Sequence, residues 1–292
     1  MVNRNFSTNK KYHVLSTASY IAILTAIIFL SSLYPVIAYG KTSVSLGSRW
    51  GVNNPTELEL DSSITAFIAE HASKAGFTAY NWYGSETSRD NIFEAARGAG
   101  DTFTIVFYIG HGYKSGALWW INWFIVDDSG NKVYDYEIFN YSGCRNVRFV
   151  LLWSCYQGDT IGGTQPITGK PYGMPYAWLH TTDLSSDGYT NPDGKGYTFI
   201  GFTGAAPYLN YSYPPFDKDK TRYQYPLYVF LLYFYEYLLD YGYSIKEALN
   251  QASQEVWGCT FQESPLYKGY TIDSDTGRMV VYGDGNLKVV GG

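Results

Sequence analysis

The sequence predicts an α/β protein with a mostly parallel sheet and helices on both of its faces. Strand-like and helix-like segments alternate between residues 42 and 109, which favours parallel strands joined by right-handed crossovers. The segments 102–109 and 147–153 are almost continuously apolar, as is typical of strands that helices cover on both faces. The architecture expected is therefore a three-layer α/β sandwich.

Periodic patterns define the elements of the first part of the chain. In residues 56–75, apolar side chains recur at three- and four-residue steps, and Gly76 follows as a stop. A shorter helix of the same kind ends before Gly98. The expected elements are strands at Thr42–Leu46, Thr78–Trp82 and Thr102–Ile109 and helices at Thr56–Ala75 and Ser88–Arg97.

The second part of the chain is more aromatic, and turn signals help to divide it. An aromatic hairpin is expected at Ala117–Asp127, with a turn over residues 128–131. Two short apolar segments flank the Gly-Asp-Gly at 283–285, which predicts a terminal hairpin. The remaining expected elements are strands at Val147–Trp153, Thr198–Phe202, Met279–Tyr282 and Leu287–Val290 and helices at Pro226–Tyr241 and Ile245–Val256.

Composition limits the function classes. The chain has 292 residues, of which 46% are hydrophobic and 16% are charged, so it can bury a full core. The formal net charge is −5, and a general nucleic-acid binder, which normally carries a basic patch, is not expected. The chain has no C-x-x-C or H-E-x-x-H spacing, so we expect neither a metal site nor a cofactor.

Residues 1–40 have the pattern of an export signal, followed by one domain over residues 41–292. Arg4, Lys10 and Lys11 precede the apolar segment 18–33, and small residues occupy positions 38 and 40. This pattern is typical of a secretory signal peptide. The apolar segment is close to the roughly 20 residues that span a bilayer, so an uncleaved signal anchor is the alternative. We expect a secreted or cell-surface protein that meets the membrane only through this segment, if it is retained.

A histidine and a cysteine follow the two buried strands. His111 lies in the Gly-His-Gly that follows 102–109, and Cys155 comes two residues after 147–153. The carboxyl ends of parallel strands lie at one edge of a sheet, where α/β proteins place their sites. A cysteine beside a histidine is the minimal unit for thiolate attack on a carbonyl. The backbone N–H groups of Gly112 and Cys155 are the candidates for stabilising the oxyanion.

These two blocks, IVFYIGHG and FVLLWSCYQG, resemble the caspase-like (clan CD) cysteine peptidases. The order of the flanking elements extends the resemblance over residues 42–255. It implies a fold of the caspase-haemoglobinase type, with His111 as catalytic base, Cys155 as nucleophile and the Gly112 backbone in the oxyanion hole. True caspases carry Gln-Ala-Cys-x-Gly at the nucleophile, whereas this chain has Trp-Ser-Cys-Tyr-Gln-Gly, which argues against aspartate specificity.

The odd number of cysteines is consistent with this interpretation. The chain has three cysteines, and cysteines of exported proteins tend to pair. If Cys155 stays free for catalysis, Cys144 and Cys259 remain to form a disulfide. We expect this bond on the strength of the resemblance.

Acidic residues after the nucleophile supply candidates for a substrate pocket. Asp159, Asp183 and Asp187 follow Cys155 in the sequence. They could line a pocket for a basic residue before the cut, as in some clan relatives; the alternative is a solvated acidic loop.

The function expected is an exported cysteine endopeptidase that cleaves peptide or protein substrates through an acyl-enzyme. Two alternatives stay open. One is a non-catalytic caspase-like surface or adhesion protein, whose aromatic face binds a partner or glycan. The other is a transpeptidase or ligase that uses the same dyad.

Overall fold

In the described part of the chain, seven strands form one large sheet, and three more form a small one. The structure is a computed structural model that describes residues 40–99, 103–116, 121–144, 146–161, 173–212, 215–216, 221–272 and 274–291. The ten strands are β1 (Lys41–Gly47), β2 (Thr78–Tyr83), β3 (Phe103–Ile109), β4 (Gly112–Ser115), β5 (Asn122–Val126), β6 (Lys132–Tyr134), β7 (Val147–Trp153), β8 (Thr198–Thr203), β9 (Tyr270–Ile272) and β10 (Asp275–Gly283). The large sheet has the order β2-β1-β3-β7-β8-β10-β9, and the small one has the order β4-β5-β6.

The large sheet is mixed but mostly parallel. Strands β2, β1, β3, β7 and β8 run parallel to their neighbours, and β10 and β9 are added antiparallel at one edge. The crossovers between the parallel strands carry most of the helices. The α-helices are α1 (Pro55–Lys74), α2 (Arg89–Arg97), α3 (Asp135–Tyr141), α4 (Met174–Trp178), α5 (Pro226–Leu239), α6 (Ile245–Trp257) and α7 (Pro265–Lys268).

Helices cover both faces of the large sheet. Alternate side chains of β3 enter two separate cores: Phe107 joins the core beneath α1, α5 and α6, and Tyr108 joins the core beneath α2, α3 and α4. Because both faces are buried, β3 and β7 need apolar residues at nearly every position. The α/β class with a mostly parallel sheet is confirmed, and the layering is compatible with a three-layer sandwich.

Capping residues set the helix boundaries where the sequence predicts them. Asn54 caps α1 by accepting from the backbone N–H groups of Thr56 and Glu57, and Ser88 caps α2. Gly98 ends α2 in the left-handed conformation that favours glycine. The expected helices at 56–75 and 88–97 are therefore confirmed to within one residue at each end.

The tail differs from the sequence-based expectation. Strand β10 pairs with β8 and with β9 instead of with Leu287–Val290. Past Asp284 the chain turns and packs beside the start of α6, where the backbone N–H of Ile245 donates to the carbonyl of Leu287. The predicted hairpin between Met279–Tyr282 and Leu287–Val290 is thus wrong, because β10 already has a partner on each side.

The expected export signal falls on residues 1–39, which lie outside the described residues, and on Gly40. Residues 40–292 cluster as one compact unit. In the described part of the chain, no helix is long and apolar enough to cross a membrane.

Candidate active site

The register of β3 and β7 brings His111 and Cys155 to one cavity. Ile109 at the end of β3 is paired with Trp153 at the end of β7. His111 and Cys155 each lie two residues beyond these partners, and neighbouring strands are about 4.8 Å apart. Both residues line one cavity of about 200 Å³ at the carboxyl edge of the sheet. The two predicted catalytic residues are therefore brought together.

The surroundings of Cys155 disfavour its thiolate form. Its Sγ accepts a hydrogen bond from the backbone N–H of Ala206 at 3.3 Å. Burial raises the pKa of the thiol, and the negative charge of Asp275 adds to this, while the Ala206 N–H and the N–H of Cys155 itself partly oppose it. A thiol of this kind needs a base to become a nucleophile.

His111 is packed among aromatic rings. Its ring stacks on Tyr113 at a centroid distance of 5.9 Å and meets the edge of Trp50 at 5.8 Å. Burial lowers the pKa of His111, and the backbone of Gly51 beside the ring partly offsets this. Nε2 is buried with no hydrogen-bond partner, and Nδ1 lies 3.5 Å from the Tyr113 hydroxyl. The ring is thus available to accept a proton.

The loop that carries Cys155 is fixed to the end of β8. Tyr156 has a positive φ of 64° and donates its backbone N–H to the carbonyl of Gly204 at 2.6 Å. The backbone N–H of Gly158 donates to Phe202 at 2.8 Å. A Cβ at Gly158 would lie 2.4 Å from Val280, so only glycine lets the loop pack this closely.

The side chain of Gln157 anchors the same loop through hydrogen bonds. Its side chain is fully buried, and Nε2 donates to the carbonyl of Cys155 at 2.7 Å and to that of Phe124 at 3.3 Å. The amide therefore ties Cys155 to β5 of the small sheet. Gln157 is not among the residues predicted from the sequence, although it lies two residues after Cys155.

Gly112 packs against the loop that carries Cys155, as expected if the backbone of Gly112 contributes to the site. A Cβ at this position would lie 2.3 Å from Ser154 Oγ and 2.9 Å from the carbonyl oxygen of Cys155. The close approach brings the backbone of Gly112 beside that of Cys155. These are the two residues whose N–H groups we expect to face an oxyanion.

The three aspartates predicted for a substrate pocket lie elsewhere. Asp159 pairs with Lys114 at 2.9 Å, and Asp183 pairs with Lys195. Asp187 accepts from the backbone N–H of Thr190 in its own turn. None of the three aspartates lines the cavity, because ion pairs or local turns hold their carboxylates.

The acidic residues that do line the cavity are Glu57, Asp61 and Asp275. Glu57 accepts the backbone N–H groups of Leu209 and Asn210 at 2.6 and 2.8 Å. Burial raises the pKa of Glu57 and of Asp61, and the charge of Glu57 raises that of Asp61 further. The sequence carried a signal for this pair, since residues 57, 61, 64 and 68 form one stripe of α1 and the last two are buried isoleucines.

The predicted Cys144–Cys259 disulfide is absent from the structure, in which Cys259 is a free thiol. Cys144 follows α3, whose Ile138 belongs to one core, and Cys259 lies between Val256 and Phe261 of the other core. The large sheet separates the two cores, which accounts for the unpaired thiol. The side chain of Cys144 lies outside the described residues.

Among the residues that the structure describes, no cluster of three or more His, Cys, Asp or Glu side chains could hold a metal ion. No protein-family model matches this chain, and no curated protein is significantly similar to it.

Proposed function

We propose that this chain is a cysteine endopeptidase of the caspase-like superfamily, in which His111 and Cys155 cleave peptide bonds through an acyl-enzyme. One observation carries the proposal: the two residues follow paired strands at matching positions and line one cavity. A mostly parallel sheet with helices on both faces is compatible with the caspase-haemoglobinase type of fold.

The chemistry begins from a neutral pair. His111 removes the proton from the Cys155 thiol as the sulfur attacks the carbonyl carbon of the substrate. Because burial lowers the pKa of His111 and raises that of Cys155, the proton stays on the sulfur until a substrate arrives. The N–H groups of Gly112 and Cys155 then face the oxyanion.

Breakdown of the tetrahedral intermediate breaks the C–N bond. The imidazolium of His111 gives its proton to the departing amine, which leaves a thioester on Cys155. Water then attacks the thioester while His111 takes its proton, and the acid product departs as the thiol is restored. An added amine can replace that water, in which case the outcome is transpeptidation.

The substrates are peptides or proteins outside the cell. This part of the proposal depends on the export signal expected in residues 1–40.

The test uses the full chain and three variants on a panel of internally quenched peptides. We expect Cys155→Ala to abolish turnover and His111→Ala to lower kcat/KM by about 10²- to 10⁴-fold. Cys259→Ser is the matched control, because Cys259 is a free thiol outside the cavity. Turnover that survives Cys155→Ala, or wild-type chain that cleaves nothing, would refute the proposal. Product analysis with an added amine separates hydrolysis from transpeptidation.

A further inference from the structure

We propose that Glu57 and Asp61 bind the side chain of a lysine or arginine that precedes the scissile bond. This inference rests on the proposed peptidase function, because it assigns the cavity beside Cys155 to the substrate.

The charge of the cavity favours a cationic ligand. In the described part of the chain, its wall contains three carboxylates, those of Glu57, Asp61 and Asp275, and no lysine or arginine. The Asp275 carboxylate already accepts the hydroxyl of Tyr156 at 3.0 Å. The two carboxylates of α1 therefore supply the charge that a ligand would meet.

Oδ1 of Asp61 is a buried acceptor without a hydrogen-bond partner. Its residue is only 2% exposed, and its Oδ1 makes no hydrogen bond in the structure. Buried polar groups are nearly always hydrogen-bonded, and an unpaired carboxylate is among the most unfavourable groups to bury. Since Asp61 forms part of the cavity wall, a ligand in the cavity is the natural source of the missing donor.

Glu57 is fixed and stands one helical turn from Asp61. Two backbone N–H groups hold its carboxylate in place, which makes it a rigid acceptor. Residues i and i+4 of a helix are neighbours on one face, so the two acids present their oxygens together. A guanidinium or ammonium group has several donors and no acceptor, and its charge relieves the repulsion between the two acids.

The rest of the cavity suits the stem of such a side chain. Val52, Ile109 and Pro207 contribute apolar wall to the cavity that Glu57, Asp61 and Cys155 also line. Lysine and arginine place their methylene stems along apolar surface and their charged heads at polar groups. With the scissile carbonyl at Cys155, the side chain before the cut enters this cavity, and a volume of about 200 Å³ admits one side chain.

The experiment compares matched substrates that differ only in charge. The full chain is assayed with peptides that carry arginine, citrulline, lysine, norleucine or glutamine before the cut. We expect kcat/KM for arginine to exceed that for citrulline by about 100-fold, since hydrogen bonds to charged groups are the strong ones. Equal values for arginine and citrulline, or the best value for glutamine, would overturn the assignment while leaving the peptidase proposal intact.

Two variants locate the effect. Asp61→Asn removes the charge with almost no change in shape, and we expect it to lower the arginine-to-citrulline ratio at least tenfold. Asp183→Asn makes the same change on an aspartate outside the cavity, whose side chain is 85% exposed, and should leave the ratio unchanged. A ratio that survives Asp61→Asn would place the recognition elsewhere.

A binding measurement keeps the test independent of turnover. The Cys155→Ala variant of the full chain is titrated by calorimetry with the arginine and citrulline peptides. Tighter binding of the arginine peptide, lost on adding Asp61→Asn, supports the pocket even if no peptide is cleaved by the wild-type chain. Equal binding of the two peptides refutes the pocket, whatever the outcome of the activity assay.

Discussion

Replacing Gly112 by alanine tests the geometry on which the site depends, because the structure leaves no room for the added methyl group. An ideal Cβ there would lie 2.3 Å from Ser154 Oγ, 2.6 Å from Gln157 Nε2 and 2.9 Å from the carbonyl oxygen of Cys155. Ordinary contacts of such atoms are longer by about 1 Å, as in close-packed carbon contacts of roughly 3.5–4.0 Å. Ser154 and Gln157 are buried, so the nucleophile loop itself must move.

A displacement of about 1 Å at a catalytic group lowers the rate by about 100-fold, whereas overpacking of this kind destabilises a protein by about 1–3 kcal/mol. We therefore expect Gly112→Ala to lose about 100-fold in kcat/KM while the chain stays folded. The measurement is peptide hydrolysis beside a urea denaturation curve.

Gly143→Ala is the matched control. Among the described residues beyond its chain neighbours, a Cβ at Gly143 would meet His180 Cε1 at 3.8 Å, which is an ordinary contact. Neither glycine has a positive φ, so the two substitutions differ mainly in space. A kcat/KM for Gly112→Ala within threefold of the control would refute this prediction. It would show that the close approach of residues 112 and 154–157 does not position Cys155.

Three further predictions concern the groups around the dyad. Because burial lowers the pKa of His111 and the base must be neutral, kcat/KM should rise with pH through a midpoint below about 6.5; a midpoint above that value in a pH–rate profile would contradict this. Gln157→Leu removes the donor to the carbonyls of Cys155 and Phe124, so urea denaturation should show a loss of about 1–3 kcal/mol; unchanged stability would show that this anchor is unimportant. Burial raises the folded-state pKa of Asp61, so the folded chain binds its proton more tightly and stability falls as pH rises above the unfolded pKa of about 3.9. In denaturant titrations between about pH 4 and pH 7, Asp61→Asn should therefore be more stable than the wild type. A less stable variant would refute the conclusion that burial raises the pKa of Asp61.

The shared location of His111 and Cys155 could be predicted from the sequence because two patterns coincide there. The segments around Val106 and Val150 are apolar at almost every position, which marks strands buried on both faces. Once both are placed in one parallel sheet, the residues just past their ends share an edge. The sequence does not specify the register, and it is the pairing of Ile109 with Trp153 that puts His111 and Cys155 at matching positions.

The acidic residues of the cavity differ from the predicted ones because proximity along the chain does not imply proximity in space. Asp159, Asp183 and Asp187 follow the nucleophile in sequence, but each has a local partner. Glu57 and Asp61 belong to α1, far earlier in the chain, yet they line the same cavity as Cys155. Their place on the stripe of buried isoleucines was readable in the sequence, since a carboxylate there must enter the interior.

The predictions of the disulfide and of the terminal hairpin differ from the structure for the same reason. The disulfide was predicted from the number of cysteines, and the hairpin from the Gly-Asp-Gly turn between two apolar segments. Neither feature indicates where the large sheet lies. The sheet separates the cores beside Cys144 and Cys259, and it offers β10 partners in β8 and β9. The three-residue strand β9 is too short for periodicity to reveal it.

The most direct measurement is the identity of the covalent intermediate. The full chain is mixed with a peptide ester substrate, the reaction is quenched in acid during turnover, and the acylated residue is located by mass spectrometry. We predict that the acyl group is on Cys155, that it is absent from Cys155→Ala, and that it forms far more slowly in His111→Ala. An acyl group on Cys259 or any other residue, or turnover with no acyl group on Cys155, would contradict the account.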